Sequence, residues 1–305
     1  MSQDQDKNKN AVNRIFHKLR NKAKANSEDL NILLARYGME RFLYRLSISP
    51  HNERFILKGA SLFLVWKGQS YRVTKDADLL GFGNPDINQL ADVFRDICNI
   101  EFPDDGMVYL PETLKAEEIR KEQEYEGVQI KVIGLLSNAR VSLQIDIGFG
   151  DIVTPAPENI EYPTLLDAPP PLLRAYTRYT LIAEKFQAMV DLGIANSRMK
   201  DFYDIWVLSK MFSFEGNILQ SALKNTFERR ETAYPVSTPY AFTSDFYGDP
   251  QKVTQWEAFM KRAKLKIEAG SLASIVADIS AFLSPVIQSR EIFERVWVLE
   301  DGRWV

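Results

Sequence analysis

Asp76 and Asp78 lie one residue apart in the segment Arg72-Val73-Thr74-Lys75-Asp76-Ala77-Asp78-Leu79-Leu80. If that segment is extended, Arg72, Thr74, Asp76 and Asp78 share one face. Side chains two positions apart on a strand are separated by roughly 6.6 Å at the backbone, close enough to converge on a pair of metal ions. A third carboxylate on a neighbouring strand would complete such a site, and Asp146 is the candidate. It belongs to residues 140–149, where Val141, Leu143, Ile145, Ile147 and Phe149 alternate with Arg140, Ser142, Gln144, Asp146 and Gly148. Three clustered carboxylates repel one another unless cations neutralise them, and an all-oxygen donor set selects Mg²⁺ or Mn²⁺. Taken alone, the dyad also fits two surface aspartates beside Arg72 and Lys75.

A second element lies shortly before the aspartates. Gly59, Ala60 and Ser61 follow Lys58 and precede the apolar run Leu62-Phe63-Leu64-Val65-Trp66. A small-residue turn that opens a helix offers backbone N–H groups to a phosphate. It is not a Walker A loop, since GxxxxGK[ST] is absent, and GxGxxG, HExxH and GxSxG are absent too.

The elements that must position these residues follow from periodicity. Residues 128–132 and 140–149 alternate as strands. Residues 86–100 have the helical period, and so do 177–192, 198–211, 216–230, 252–268 and 271–283. The acidic segment 101–126 reads as an exposed connection and helix. Ser27 is the expected N-cap of the helix carrying Leu30, Leu33, Leu34 and Tyr37. Arg14, Lys18, Arg20, Lys22 and Lys24, with Ile15, Leu19 and Ala23, predict a basic amphipathic helix over 11–24, a solvated face or an RNA contact. Prolines crowd the stretch from Pro155 to Pro171, and a domain boundary is placed there. Asp301-Gly302 between two Trp-Val pairs suggests a hairpin at the chain's end.

Composition bounds the rest. The chain has 305 residues, 45% hydrophobic and 26% charged, as in ordinary globular proteins. Lys plus Arg number 38 against 41 Asp plus Glu, so the net charge is -3 and any grip on nucleic acid must be local. One cysteine, Cys98, excludes an intrachain disulfide, and two histidines leave little material for a zinc site. No run approaches the ~20 apolar residues of a membrane helix, and no signal-peptide core is visible, so a cytoplasmic location is expected.

Together, Lys58-Gly59-Ala60-Ser61-Leu62 and Arg72-x-Thr74-x-Asp76-x-Asp78 resemble the nucleotidyltransferase toxins of the AbiEii/AbiGii family, which includes the MenT toxins, within the DNA polymerase β-like superfamily. Asp146 matches that superfamily's third carboxylate. Glu184-Lys185 and Arg198-Met199-Lys200-Asp201-Phe202-Tyr203-Asp204 match a later lysine and a basic-Lys-Asp-x-x-Asp helix. The resemblance spans about residues 54 to 210, and Ala60 departs from the superfamily's usual Gly or Ser. It implies an α+β fold: a nucleotidyltransferase domain over 1–165, with a mixed sheet and flanking helices, then a mostly helical domain over 166–305 that contributes to the cleft. It further implies a Mg²⁺- (or Mn²⁺-) dependent enzyme of a type IV-like toxin–antitoxin or abortive-infection system. Such an enzyme transfers NMP from an NTP to RNA, with tRNA the favoured acceptor and an antitoxin as partner. Asp76, Asp78 and Asp146 would hold metal, with Lys185 and Asp204 also catalytic. Lys58, Gly59, Ser61, Arg72 and Lys185 would bind the nucleotide. The alternative is an inactive nucleotide- or RNA-binding protein of the same fold.

Overall fold

The computed structural model describes residues 2–68, 71–72, 76–121, 124–263 and 265–305. The chain is α+β and divides into two compact units. One contains Met1–Gln69, Thr74–Gly150 and Asn159–Ala175; the other contains Ser70–Val73, Asp151–Glu158 and Tyr176–Val305.

The first unit is built on seven strands: β1 (Phe55–Lys58), β2 (Ala77–Gly81), β3 (Met107–Lys121), β4 (Glu124–Leu136), β5 (Ala139–Phe149), β6 (Glu158–Glu161) and β7 (Leu172–Ala175). They form one mixed sheet in the order β3-β4-β5-β2-β1-β7-β6. The pairs β2–β5 and β1–β7 are parallel, while β1–β2, β3–β4 and β4–β5 are antiparallel. The helices are α1 (Ser2–Ala25), α2 (Leu30–Ile48), α3 (Leu62–Lys67) and α4 (Ile87–Cys98). Alternation divides the sheet into an apolar and a polar face. Val128, Ile130, Leu143, Ile145 and Ile147 are fully buried. Gly38 of α2 lies so near β5 that a Cβ there would come 3.0 Å from Val141 Cγ1. The N-cap of α2 is Asp29, whose carboxylate accepts the N–H groups of Asn31 and Ile32; Ser27, the expected cap, sits at φ 51° before the helix begins.

The acidic segment behaves differently from its expectation. Residues 107–121 are an edge strand, not a helix. Their Glu and Lys content favours helix locally, but pairing with β4 overrides that weak preference. The charged side chains Glu112, Lys115, Glu117 and Glu118 face solvent, as edge strands tolerate well. The ladder breaks its register between Leu110 and Lys115, and Pro111 falls in this irregularity.

A buried arginine locks α2 to the start of that strand. Arg45 donates to both Asp105 carboxylate oxygens, at 2.7 and 3.1 Å, and to the Met107 carbonyl at 3.0 Å. The Tyr37 hydroxyl donates to the Asp105 carbonyl at 2.9 Å.

The second unit contains α5 (Arg178–Leu192), α6 (Met199–Met211), α7 (Gly216–Arg229), α8 (Ser244–Tyr247), α9 (Pro250–Arg262) and α10 (Leu272–Gln288). A small sheet joins β8 (Phe214–Glu215), β9 (Val296–Val298) and β10 (Arg303–Trp304) in the order β10-β9-β8. The expected terminal hairpin is present: β9 and β10 pair antiparallel, and Gly302 supplies φ 59°. The Trp304 indole donates to the Phe282 carbonyl at 2.8 Å, and Trp297 donates to the Ser209 carbonyl at 2.8 Å. Among the described residues, no helix is long and apolar enough to cross a membrane.

Removing one partner of a buried ion pair leaves an uncompensated charge and costs about 3–5 kcal/mol. Asp105→Ala is therefore expected to lower stability by about that amount, read as a shift of the urea midpoint at unchanged slope.

Candidate active site

Register assembles the site in the first unit. Lys58 pairs with Asp78 across β1–β2, Asp78 with Asp146 across β2–β5, and Asp146 with Gln129 across β5–β4. In-register partners point to the same face of a sheet, so the half-buried polar face carries the row Lys58, Asp78, Asp146, Gln129. Gln129 Nε2 donates to Asp146 Oδ1 at 2.9 Å, and Gln144 Nε2 donates to the same oxygen at 3.2 Å. Two carboxamides therefore orient the Asp146 carboxylate.

Gly59 lies against the second carboxylate. Its φ is +77°, and a Cβ built there would fall 2.0 Å from Asp78 Oδ2 and 2.7 Å from Asp78 Cγ. The Asp78 carboxylate thus rests on a backbone that has no side chain to exclude it. Gly59, Ala60 and Ser61 form a tight helical turn leading into α3. The buried Ser61 hydroxyl donates to the Lys58 carbonyl at 3.3 Å, closing the turn.

Asp76 departs from the expected strand. It stands exposed in a bend, and β2 begins only at Ala77, so strand alternation does not set its direction. Thr74 and Lys75, which belonged to the same expected strand, lie outside the described residues. Among the described residues, no three His, Cys, Asp or Glu side chains are gathered closely enough to hold an ion by themselves. The donor chemistry still fits a hard divalent cation. Asp78 and Asp146 are adjacent carboxylates on a half-buried face, and hard cations take oxygen ligands.

In the second unit, Lys185, Arg72 and Asp204 come together. Lys185 Nζ lies 2.6 Å from Asp201 Oδ1 and 2.8 Å from Asp204 Oδ2. Arg72 holds Asp204 in a fork, Nε at 2.8 Å from Oδ1 and Nη2 at 2.9 Å from Oδ2. Arg198 Nε reaches Asp201 Oδ2 at 2.7 Å. Spacing on α6 would allow an ion pair between Lys200 and Asp204; instead Asp204 turns inward to Lys185 and Arg72. Burial by itself would raise the Asp204 carboxyl, but the Arg72 guanidinium and the Lys185 ammonium hold it well below the usual carboxylate range. Burial would likewise depress Lys185, and Asp201 and Asp204 outweigh it, so its ammonium is stabilised. Lys185 is a buried cation fixed by two carboxylates, not a helix-surface lysine.

A further cluster gave no signal in the sequence. Arg230 Nε donates to Asp151 Oδ1 at 3.0 Å and Arg230 Nη1 to Gln187 Oε1 at 2.8 Å. The Tyr176 hydroxyl donates to Glu184 Oε1 at 2.8 Å, so Glu184 is not the solvated neighbour of Lys185 that its position suggests. Separations such as the 79 residues between Asp151 and Arg230 are invisible to any local pattern.

The chain is a nucleotidyltransferase toxin of a type IV toxin–antitoxin system. It belongs to the AbiEii family: the family's sequence profile, described as the nucleotidyl transferase AbiEii toxin of type IV systems, matches residues 41–283. No curated protein matches the sequence. Among solved structures, JHP933 from Helicobacter pylori is similar with a TM-score of 0.49 and 16% identity, over 84% of this chain and 91% of that one. A candidate nucleotidyltransferase from H. pylori gives a TM-score of 0.46 and 17% identity, over 84% and 94% of the two chains.

Two outcomes follow from this geometry. Gly59→Ala must displace the Asp78 carboxylate, and misplacing a reacting group by ~1 Å can cost on the order of 100-fold in rate. Nucleotidyl transfer should fall by about that factor. Gly68→Ala is the control, since φ there is also positive, at +69°, but a Cβ meets nothing within 4 Å. It should cost about 1 kcal/mol of stability and leave the rate unchanged. For Asp204, the folded pKa lies below the unfolded value, so its stabilisation is present above about pH 4 and is lost as pH falls through the folded pKa. Asp204→Asn should destabilise by about 3–5 kcal/mol near neutrality, and thermal unfolding across pH should show the gap to wild type narrowing below about pH 4.

Proposed function

We propose that this toxin transfers a nucleoside monophosphate from an NTP to an RNA acceptor, with tRNA as the acceptor class, at Asp76, Asp78 and Asp146. The observation that carries the reading is the direct register of Asp78 with Asp146 on the polar sheet face, over a glycine that leaves room for the carboxylate. These three aspartates would hold Mg²⁺ (or Mn²⁺), which when bound supplies neutralisation of the triphosphate and of the developing charge.

This chain's own residues do the rest. An acceptor hydroxyl oxygen attacks the α-phosphorus of the NTP. A new phosphate ester bond forms, the α–β anhydride bond breaks, and pyrophosphate leaves. The hydroxyl proton passes to the Asp146 carboxylate, which Gln129 and Gln144 keep in one orientation. Lys58 and the backbone of the Gly59–Ser61 turn bind phosphate. Lys185 and Arg72 add positive charge, and Asp204 positions both cations through its two oxygens.

The test is incubation with each labelled NTP, Mg²⁺ and total tRNA, followed by a denaturing gel. Label should enter RNA with wild type. Asp78→Asn, which removes an interaction of several kcal/mol, should reduce incorporation by at least about 100-fold without unfolding the protein. Growth arrest on expression should disappear with it. Arrest that persists in a folded Asp78→Asn variant would replace catalysis with sequestration of a partner.

A further inference from the structure

The second unit contains a cleft that the transfer chemistry above does not use. It lies between the start of α6 and the last turns of α9, and has a volume of about 540 Å³. Among the described residues lining it, Arg198, Lys200 and Arg262 are cationic and none is acidic. In a chain whose net charge is -3, Lys200 and Arg262 form a local positive patch, beside an Arg198 that is paired with Asp201. Lys200 and Arg262 are exposed; of the acidic groups nearby in sequence, Asp201 is turned into the interior against Lys185 and Arg198, and the exposed Glu257 of α9 does not line the cleft.

The walls are fixed. Lys252 of α9 is buried and donates its ammonium to the Asn196 carbonyl at 2.9 Å, while Asn196 Oδ1 accepts the Arg198 N–H at 2.8 Å. The two helices are therefore tied together at the rim. The cleft also has an aromatic wall: the half-buried Phe259 ring packs 5.8 Å from the Tyr203 ring and 5.6 Å from the Trp256 ring. Beside it, the Gln255 carboxamide oxygen is buried without a hydrogen-bond partner among the described residues.

Cations that follow a phosphate chain, an aromatic face on which a base can stack, and an unused acceptor for a base or ribose hydrogen are the combination that binds single-stranded nucleic acid. We propose that this cleft holds a single-stranded segment of the RNA acceptor, with Lys200 and Arg262 on phosphates and Phe259 against a base. The inference rests on the RNA-transfer reading for the identity of the strand. Charge complementarity and the stacking surface favour RNA over an acidic polypeptide, which has charge but no base to stack.

Fluorescence anisotropy with the full chain tests this, using a labelled single-stranded RNA dodecamer over a series of salt concentrations. Each phosphate contact on a single strand contributes about 0.7 to the slope of log affinity against log salt. The double variant K200A/R262A should bind at least ~10-fold more weakly than wild type near 0.1 M salt, with a slope smaller by about 1.4. The single variant Arg262→Gln, the milder change, should lower the slope by about 0.7. NTP affinity and melting temperature should stay at wild-type values in both. Unchanged RNA affinity and slope in the folded variants would overturn the proposal. So would displacement of the RNA by polyglutamate of matched charge as effectively as by unlabelled RNA. The transfer assay separates the two readings. Wild-type label transfer with an unaltered RNA KM in K200A/R262A would remove the cleft assignment and leave the transferase. RNA affinity that drops in the variant, with no transfer to any RNA by wild type, would keep the cleft and remove the acceptor assignment.

Discussion

Two carboxylates side by side on adjacent strands repel, and the first unit is arranged so that this repulsion is tolerated. Asp78 and Asp146 are in direct register, on a face that is neither fully wet nor fully buried. Full burial would drive one of them to take a proton, and full exposure would let water screen both. The flanking row supplies partial relief: a lysine at the same register on one side, and two carboxamide donors on the other. Everything else in the sheet follows from holding that register. The opposite face is continuous hydrocarbon, so a slip of one residue would expose Ile145 and Ile147 and bury the aspartates.

The second unit solves the converse problem. There both carboxylates are buried, and each is compensated by cations. Asp204 is shared between a guanidinium fork and an ammonium, and Asp201 between an ammonium and a second guanidinium. Three cations against two carboxylates leave an excess positive charge in the network. Such a network is rigid, because each side chain is fixed by at least one other charged group. Lys185 cannot swing as an exposed lysine does, so its charge is a fixed field, not a mobile grip.

Much of this was legible in the sequence, and the limits have physical causes. The alternation through residues 140–149 was unambiguous because one face is buried, and it located Asp146. The glycine turn and Asp78 could be read because a tight turn and a strand carboxylate are local features. Alternation predicts a strand from Arg72 onward, but the ladder begins only at Ala77, so Asp76 falls just outside it. The composition of residues 107–121 favours helix, and only pairing with β4, which a local pattern does not show, reverses that preference. Arg45–Asp105 and Arg230–Asp151 left no trace at all, since side chains from remote segments meet only after folding. The family resemblance points to Arg72, Lys185 and Asp204, but not to the clasp of Asp204 by the Arg72 guanidinium.

The β9–β10 hairpin is fastened to α10 through the Trp304 side chain. Trp304 stacks on Phe282 at 5.7 Å, meets Trp297 at 5.5 Å and Phe293 at 5.1 Å, and its indole N–H is bonded to the backbone of α10. Val305 exchanges both backbone hydrogen bonds with Val296, at 3.0 Å each. Removing the Trp304 ring would unfasten a four-ring aromatic cluster and leave the Phe282 carbonyl without its indole donor. That side chain thus fastens the small sheet to α10, so a single truncation there would open apolar surface on both at once.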